Sequence, residues 1–137
     1  MSALAADPRE LELAEDEVYE EFVKRGWCDG LPIVPPTPER VGAMLAAAKA
    51  DPGRSLGLMP PLWRQCTLEK LAVNAVMAGC EPAYFPFVVA AAQAVLDPAF
   101  NLYGVQATTH PVAPLLIASG PLARQIGMHS GSGLFGP

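Results

Sequence analysis

Positive charge is scarce in this chain. Lys and Arg total 9 against 14 acids in 137 residues, for a formal net charge of −5. No basic run is present that could neutralise successive phosphates, which excludes nucleic acid as an expected partner. Cysteine is nearly as scarce. Cys28, Cys66 and Cys80 make an odd set without a Cys-x-x-Cys pair, so no disulfide framework is expected. The two histidines, His110 and His129, lack metal-ligand spacing, and no metal site is expected. Long apolar runs are missing too. The longest, residues 87–96, is broken by Gln93 and falls far short of the roughly 20 residues of a membrane-spanning helix. The start of the sequence lacks the basic-then-apolar order of a secretory signal. These absences point to the cytoplasm and away from membranes.

What is abundant is apolar surface. Hydrophobic residues make up 51% of the chain and charged residues only 17%. The length suits one domain with a sizeable core, and surplus apolar surface of this kind usually goes to a partner. The acids concentrate early: Asp7, Glu10, Glu12, Glu15, Asp16, Glu17, Glu20 and Glu21 precede Lys24 and Arg25. Leu11, Ala14, Val18 and Phe22 fall opposite them at helical spacing, predicting an amphipathic helix over 10–25 that suits the helix dipole and ends at Gly26.

The next stretch, residues 27–37, packs Trp27, Cys28, Asp29, Gly30 and three prolines into a stiff rail leaving a tight turn. Its end, Thr37-Pro38, reads as a helix cap followed by proline at the first helical position. A helix to about Ala50 follows, carrying Val41, Met44, Leu45 and Ala48, and Asp51-Pro52-Gly53 stops it. Residues 54–65 read as irregular, with Leu56, Leu58, Met59, Leu62 and Trp63 packed on neighbours. Thr67 caps a third helix with Leu68, Leu71, Ala72, Ala75 and Val76 on one face, ending at Gly79. A fourth, 87–96, is apolar almost all round and is expected to be buried on every side. Residues 102–108 and 113–119 read as strands, the second a fully buried run through Leu115, Leu116 and Ile117, and a short helix follows Gly120-Pro121.

The fold class predicted is α/β or α+β: helix-rich through the first two-thirds, then short strands. The acidic helix occupies 1–26 and the domain, or part of one, 27–137. Two strands do not make an independently stable sheet, so a second chain or further segment is expected to complete it.

Candidate site residues gather near the predicted strand ends. Thr108, Thr109 and His110 lie between the strands, where a histidine beside hydroxyls can serve as general acid or base. His129, Ser130, Gly131, Ser132 and Gly133 form a second group, a loop whose backbone N–H groups could hold an anion. Residues 131–136 also satisfy G-x-G-x-x-G, without the flanking strand and helix that a dinucleotide site needs. Asp29 is held at the start of the rail. Cys28 and Cys80 each follow a helix C-terminus, whose partial negative charge disfavours a thiolate. Packing is therefore the expected role of the thiols.

The runs Asp29-Gly30-Leu31-Pro32-Ile33-Val34-Pro35-Pro36-Thr37, Ala72-Val73-Asn74-Ala75-Val76-Met77-Ala78-Gly79-Cys80 and Gln106-Ala107-Thr108-Thr109, with Ala118-Ser119-Gly120-Pro121, resemble bacterial proteins found with or fused to the UGSC-type thiol/selenol domain. The likeness covers about residues 27–137. The Sec/Cys-Gly-Ser-Cys tetrapeptide is absent, so no redox residue carries over; Cys80 is the thiol within the matching segments. The resemblance implies an enzyme-like α/β protein linked to thiol chemistry. The resulting expectation is a subunit contributing one wall of a small-molecule site, with His110 or His129 moving a proton, and no cofactor is assigned. The alternatives are a noncatalytic scaffold subunit and an oxidoreductase centred on Cys80 or Cys28.

Overall fold

A computed structural model describes residues 15–133. They form a helix-rich α+β fold of six α-helices and one antiparallel strand pair. Helix α1 (Glu15–Lys24) leads into the rail, followed by α2 (Pro38–Ala47), the hairpin β1 (Ser55–Met59) and β2 (Arg64–Thr67), then α3 (Leu68–Met77). A 3₁₀ turn, Pro82–Tyr84, opens α4 (Phe85–Leu96), and a second, Pro98–Phe100, precedes α5 (Leu102–Ala107). Helix α6 (Pro121–Gln125) lies near the end. Of the helix predicted over 10–25, the described part Glu15–Lys24 is helical; residues 1–14 and 134–137 lie outside the described part.

The core lies where α2, α3 and α4 meet. Met44, Ala72, Ala75, Val76 and Phe85 are its buried residues, with Val34, Leu45, Cys80 and Val88 packed around them. Ala72 and Phe85 are both 0% exposed: the small side chain lets the backbones approach and the ring fills the space that leaves. Full burial of a side chain the size of Phe85 is worth about 1.5–3 kcal/mol. The rail is tied to this core by the Val34 amide, which donates to the Met77 carbonyl at 3.1 Å.

One local device ends four of the six helices. After α1, Trp27 N–H donates to Phe22 O while Gly26 N–H donates to Val23 O. The same pair of bonds recurs with Ala50 and Lys49 after α2, Cys80 and Gly79 after α3, and Met128 and Gly127 after α6. This is the Schellman arrangement, which requires a left-handed residue and favours an apolar one after it. Gly26, Gly79 and Gly127 supply φ of 66°, 78° and 69°, but α2 ends on Lys49 at φ 49°. Trp27 meets Phe22 edge-to-face at 5.2 Å between centroids, the apolar contact the motif calls for.

Several expectations are corrected, the buried strand over 113–119 among them. Residues 102–108 are not a strand. Asn101, at φ 55°, accepts the Gly104 amide on Oδ1 at 3.3 Å and starts α5; local capping outweighs the strand preference of Tyr103 and Val105, which have no partner strand among the described residues. Residues 54–65 are not irregular but hold β1 and part of β2, with Leu58 opposite Gln65, Met59 opposite Arg64, and an irregularity in register between Ser55 and Leu58 where Gly57 sits at φ 141°. At its tip Leu62 and Trp63 are exposed rather than packed inside, with the Trp63 ring against Tyr103 at 5.7 Å. Helix α4 touches α2, α3 and β1 yet shows Ala90, Gln93 and Ala94 to solvent, so it is central without being buried on every side.

Residues 113–119 form no strand among the described residues. The segment runs without regular structure, and none of its backbone groups bonds to another backbone group there. Leu115, Leu116 and Ile117 are exposed, Ile117 to 83%.

Candidate functional site

The candidate residues fall into separate groups. Thr108 ends α5, and its Oγ1 accepts the His110 amide at 3.1 Å. A further bond from Val112 N–H to His110 O, at 2.8 Å, tightens the turn. His110 and Thr109 are exposed at this corner, where the chain enters the unpaired segment.

His129 follows the α6 cap. Its Nε2 lies 2.7 Å from the Gly133 carbonyl oxygen. A carbonyl only accepts, so Nε2 carries the proton and Nδ1 of the neutral ring is left as the acceptor. The intervening turn depends on glycine, since Gly131 and Gly133 have φ of 106° and 93°. Ser130 and Ser132 are exposed on the same turn. The His129 ring and the glycine turn are therefore bonded to each other; Gly136, the last residue of the G-x-G-x-x-G pattern, lies outside the described part.

No hydrogen bond links these two groups to each other, to Asp29 or to Cys80 among the described residues. Asp29 is exposed, and its Oδ1 accepts the Leu31 amide at 3.1 Å, forming the turn that launches the rail. Cys80 is the apolar residue of the α3 cap, half-buried against the core. Cys28 is half-buried beyond the α1 cap. Cys66 is buried on β2, and burial pushes its thiol pKa up, partly offset by the nearby Lys70 ammonium. Among the described residues no three His, Cys, Asp or Glu side chains converge as a metal site. No single described helix is long and apolar enough to cross a membrane.

A cleft elsewhere in the fold has no counterpart among the residues singled out from the sequence. A cleft of about 210 Å³ lies between α1, the rail and α2, lined by Val18, Tyr19, Ile33, Val34, Pro35 and Arg40. The Tyr19 hydroxyl donates to the Gly30 carbonyl at 2.6 Å and Arg40 Nη1 donates to Pro35 O at 3.0 Å. Arg40 reaches back because Thr37 caps α2 by accepting its amide at 3.4 Å. The Thr37-Pro38 signal located the helix start, but nothing in sequence spacing linked Tyr19 to a residue twenty-one positions on.

No family model matches this chain, and no curated protein or solved structure matches it. The fold and its sites therefore define a helix-rich α+β chain with an unpaired apolar segment flanked by two histidine corners.

Proposed function

We propose that this chain is one component of a larger α+β assembly, and that residues 113–119 pair there as an interior β-strand. The carrying observation is the exposure of Leu115, Leu116 and Ile117, on a segment without backbone partners among the described residues. Consecutive apolar residues, rather than alternating ones, are the pattern of a strand covered on both faces. Thr108, Thr109 and His110 precede this strand, and His129 with its glycine turn follows it after α6, which can carry the chain back towards the strand's start.

In this reading the two corners form one wall of a small-molecule active site that the partner completes. The free Nδ1 of His129, or the exposed imidazole of His110, takes or gives the proton. Backbone N–H groups around Gly131 and Gly133 hold an anionic oxygen of substrate or intermediate. The association with UGSC-type proteins belongs to the same proposal, and within it Cys80 remains a packing residue.

The test uses hydrogen exchange and turnover on the chain co-expressed with its neighbouring gene product. Amides of 113–119 should be unprotected in the isolated chain and protected in the assembly, and Ile117→Asp should prevent assembly. His110→Ala and His129→Ala should assemble normally, with at least one losing activity by the 10²–10⁴-fold typical of an acid–base residue. Continued fast exchange at 113–119 in the assembly would sink the pairing. Unchanged turnover in both histidine variants would leave the scaffold reading.

A further inference from the structure

We propose that the cleft between α1, the rail and α2 binds a small carboxylate carrying a short hydrocarbon body, with Arg40 as its anion contact. The site is separate from the histidine corners and does not depend on the assembly.

Its walls and its polar groups point the same way. Val18, Ile33, Val34 and Pro35 make an apolar lining, and Val18 is itself buried in α1. The guanidinium of Arg40 is anchored by one donor on Pro35 O. A guanidinium has five donors in a planar fork, so the others stay free to meet a carboxylate side-on. Anchoring matters because it removes part of the ordering cost that an exposed arginine would otherwise incur on binding. Tyr19 fixes the opposite rim: its hydroxyl donates to Gly30 O, which leaves the phenolic oxygen able to accept from a ligand O–H or N–H.

The two tethers grip the rail near both its ends, at Gly30 and Pro35. Between them Pro32 stiffens the chain, and Pro35 biases Val34 towards extended geometry, so this wall of the cleft changes little on binding. A volume of about 210 Å³ is below the usual range for drug-sized ligands, about 300–1,000 Å³, and limits the occupant to a few carbon atoms. Bare phosphate would satisfy the guanidinium and leave the apolar lining uncovered; a neutral isostere would do the reverse.

The experiment is an NMR titration of the full chain with isobutyrate, isobutyramide and inorganic phosphate, reading the Val18, Ile33 and Val34 signals. Isobutyrate should give saturable shifts, with isobutyramide and phosphate each at least about tenfold weaker. Arg40→Gln should weaken isobutyrate at least about tenfold while leaving the melting curve in place, because one exposed hydrogen bond is a small loss. If Arg40→Gln fails to fold, Arg40→Lys serves instead: it keeps the charge, loses the fork and should bind several-fold more weakly. Equal binding of isobutyrate and isobutyramide, phosphate as tight as isobutyrate, or undiminished binding in the arginine variant would each overturn the proposal.

Discussion

The helical core and the segment after Asn101 are built from similar residues with opposite outcomes. In the core, Met44, Leu68, Val76 and Phe85 are buried, and α2, α3, α4 and the hairpin pack on one another. Beyond it, Val112, Leu115, Leu116, Ile117 and Leu122 are exposed, and neither α5 nor α6 makes a broad contact with another element. Hydrophobicity does not distinguish the two regions. The difference is whether a complementary face lies within the described chain: α3 and α4 find each other, whereas 113–119 finds no strand. Apolar sequence specifies that a segment is to be covered, without specifying by what.

The comparison breaks most visibly by mutation. Phe85→Ala empties the centre of the core and should cost about 3–5 kcal/mol. Ile117→Ser changes the most exposed of the large apolar side chains and should fall within about 0.5 kcal/mol in the isolated chain. Urea denaturation followed by far-UV circular dichroism measures both. A large loss from Ile117→Ser would mean that the segment is packed in solution and would erase the contrast.

Legibility in the sequence follows the same division. Helices α2, α3 and α4 were readable because their signals are local: Thr37 and Thr67 at the starts of the first two, Asp51-Pro52-Gly53 and Gly79 at their stops, and apolar residues at helical spacing or in a continuous run between. Residues 54–65, which hold most of the hairpin, read as irregular because its strands are short and the register between Ser55 and Leu58 is broken at Gly57. Residues 102–108 misled in the other direction, since Tyr103 and Val105 suit a strand and the cap at Asn101 decided against it. Of the candidate site, the sequence brought together His129 and its glycine turn, and Thr108 with His110, each within a few residues. The cleft was illegible because Tyr19 and Arg40 meet only through the path of the rail.

Helix caps sharpen the contrast at about 1 kcal/mol. Thr67 Oγ1 accepts the Lys70 amide at 3.3 Å at the head of α3, a core helix. Thr67→Ala should therefore lower global stability by about 1 kcal/mol. Lys49 ends α2 in a left-handed conformation that glycine adopts freely. Lys49→Gly should raise stability by up to about 1 kcal/mol, the relieved backbone strain outweighing glycine's greater unfolded-state freedom. Denaturation midpoints report both, and destabilisation by Lys49→Gly would show that the Lys49 side chain contributes more than its backbone costs.

The smallest effect is acid sensitivity, and it separates helix α1 from the core. The Arg25 side chain, hydrogen-bonded to Glu21, holds that carboxyl below its ordinary value of 4.5. Glu39 is held below the same value by its own backbone amide and by the Thr37 hydroxyl at the head of α2. For a lowered carboxyl, the stabilisation is present in full above the unfolded value and disappears as pH falls through the folded one. Both carboxyls are exposed, so neither effect is large. They should nonetheless register differently between pH 6 and pH 3. Protonating Glu39 weakens a helix on which the core is built and should move the global melting transition. Protonating Glu21 loosens α1, which makes no broad contact with another element, and should show as faster amide exchange in α1 with little change in that transition. Loss of the acid shift in Glu39→Gln, but not in Glu21→Gln, is the expected result. The reverse pattern would place α1 within the cooperative unit and move the boundary between the two regions.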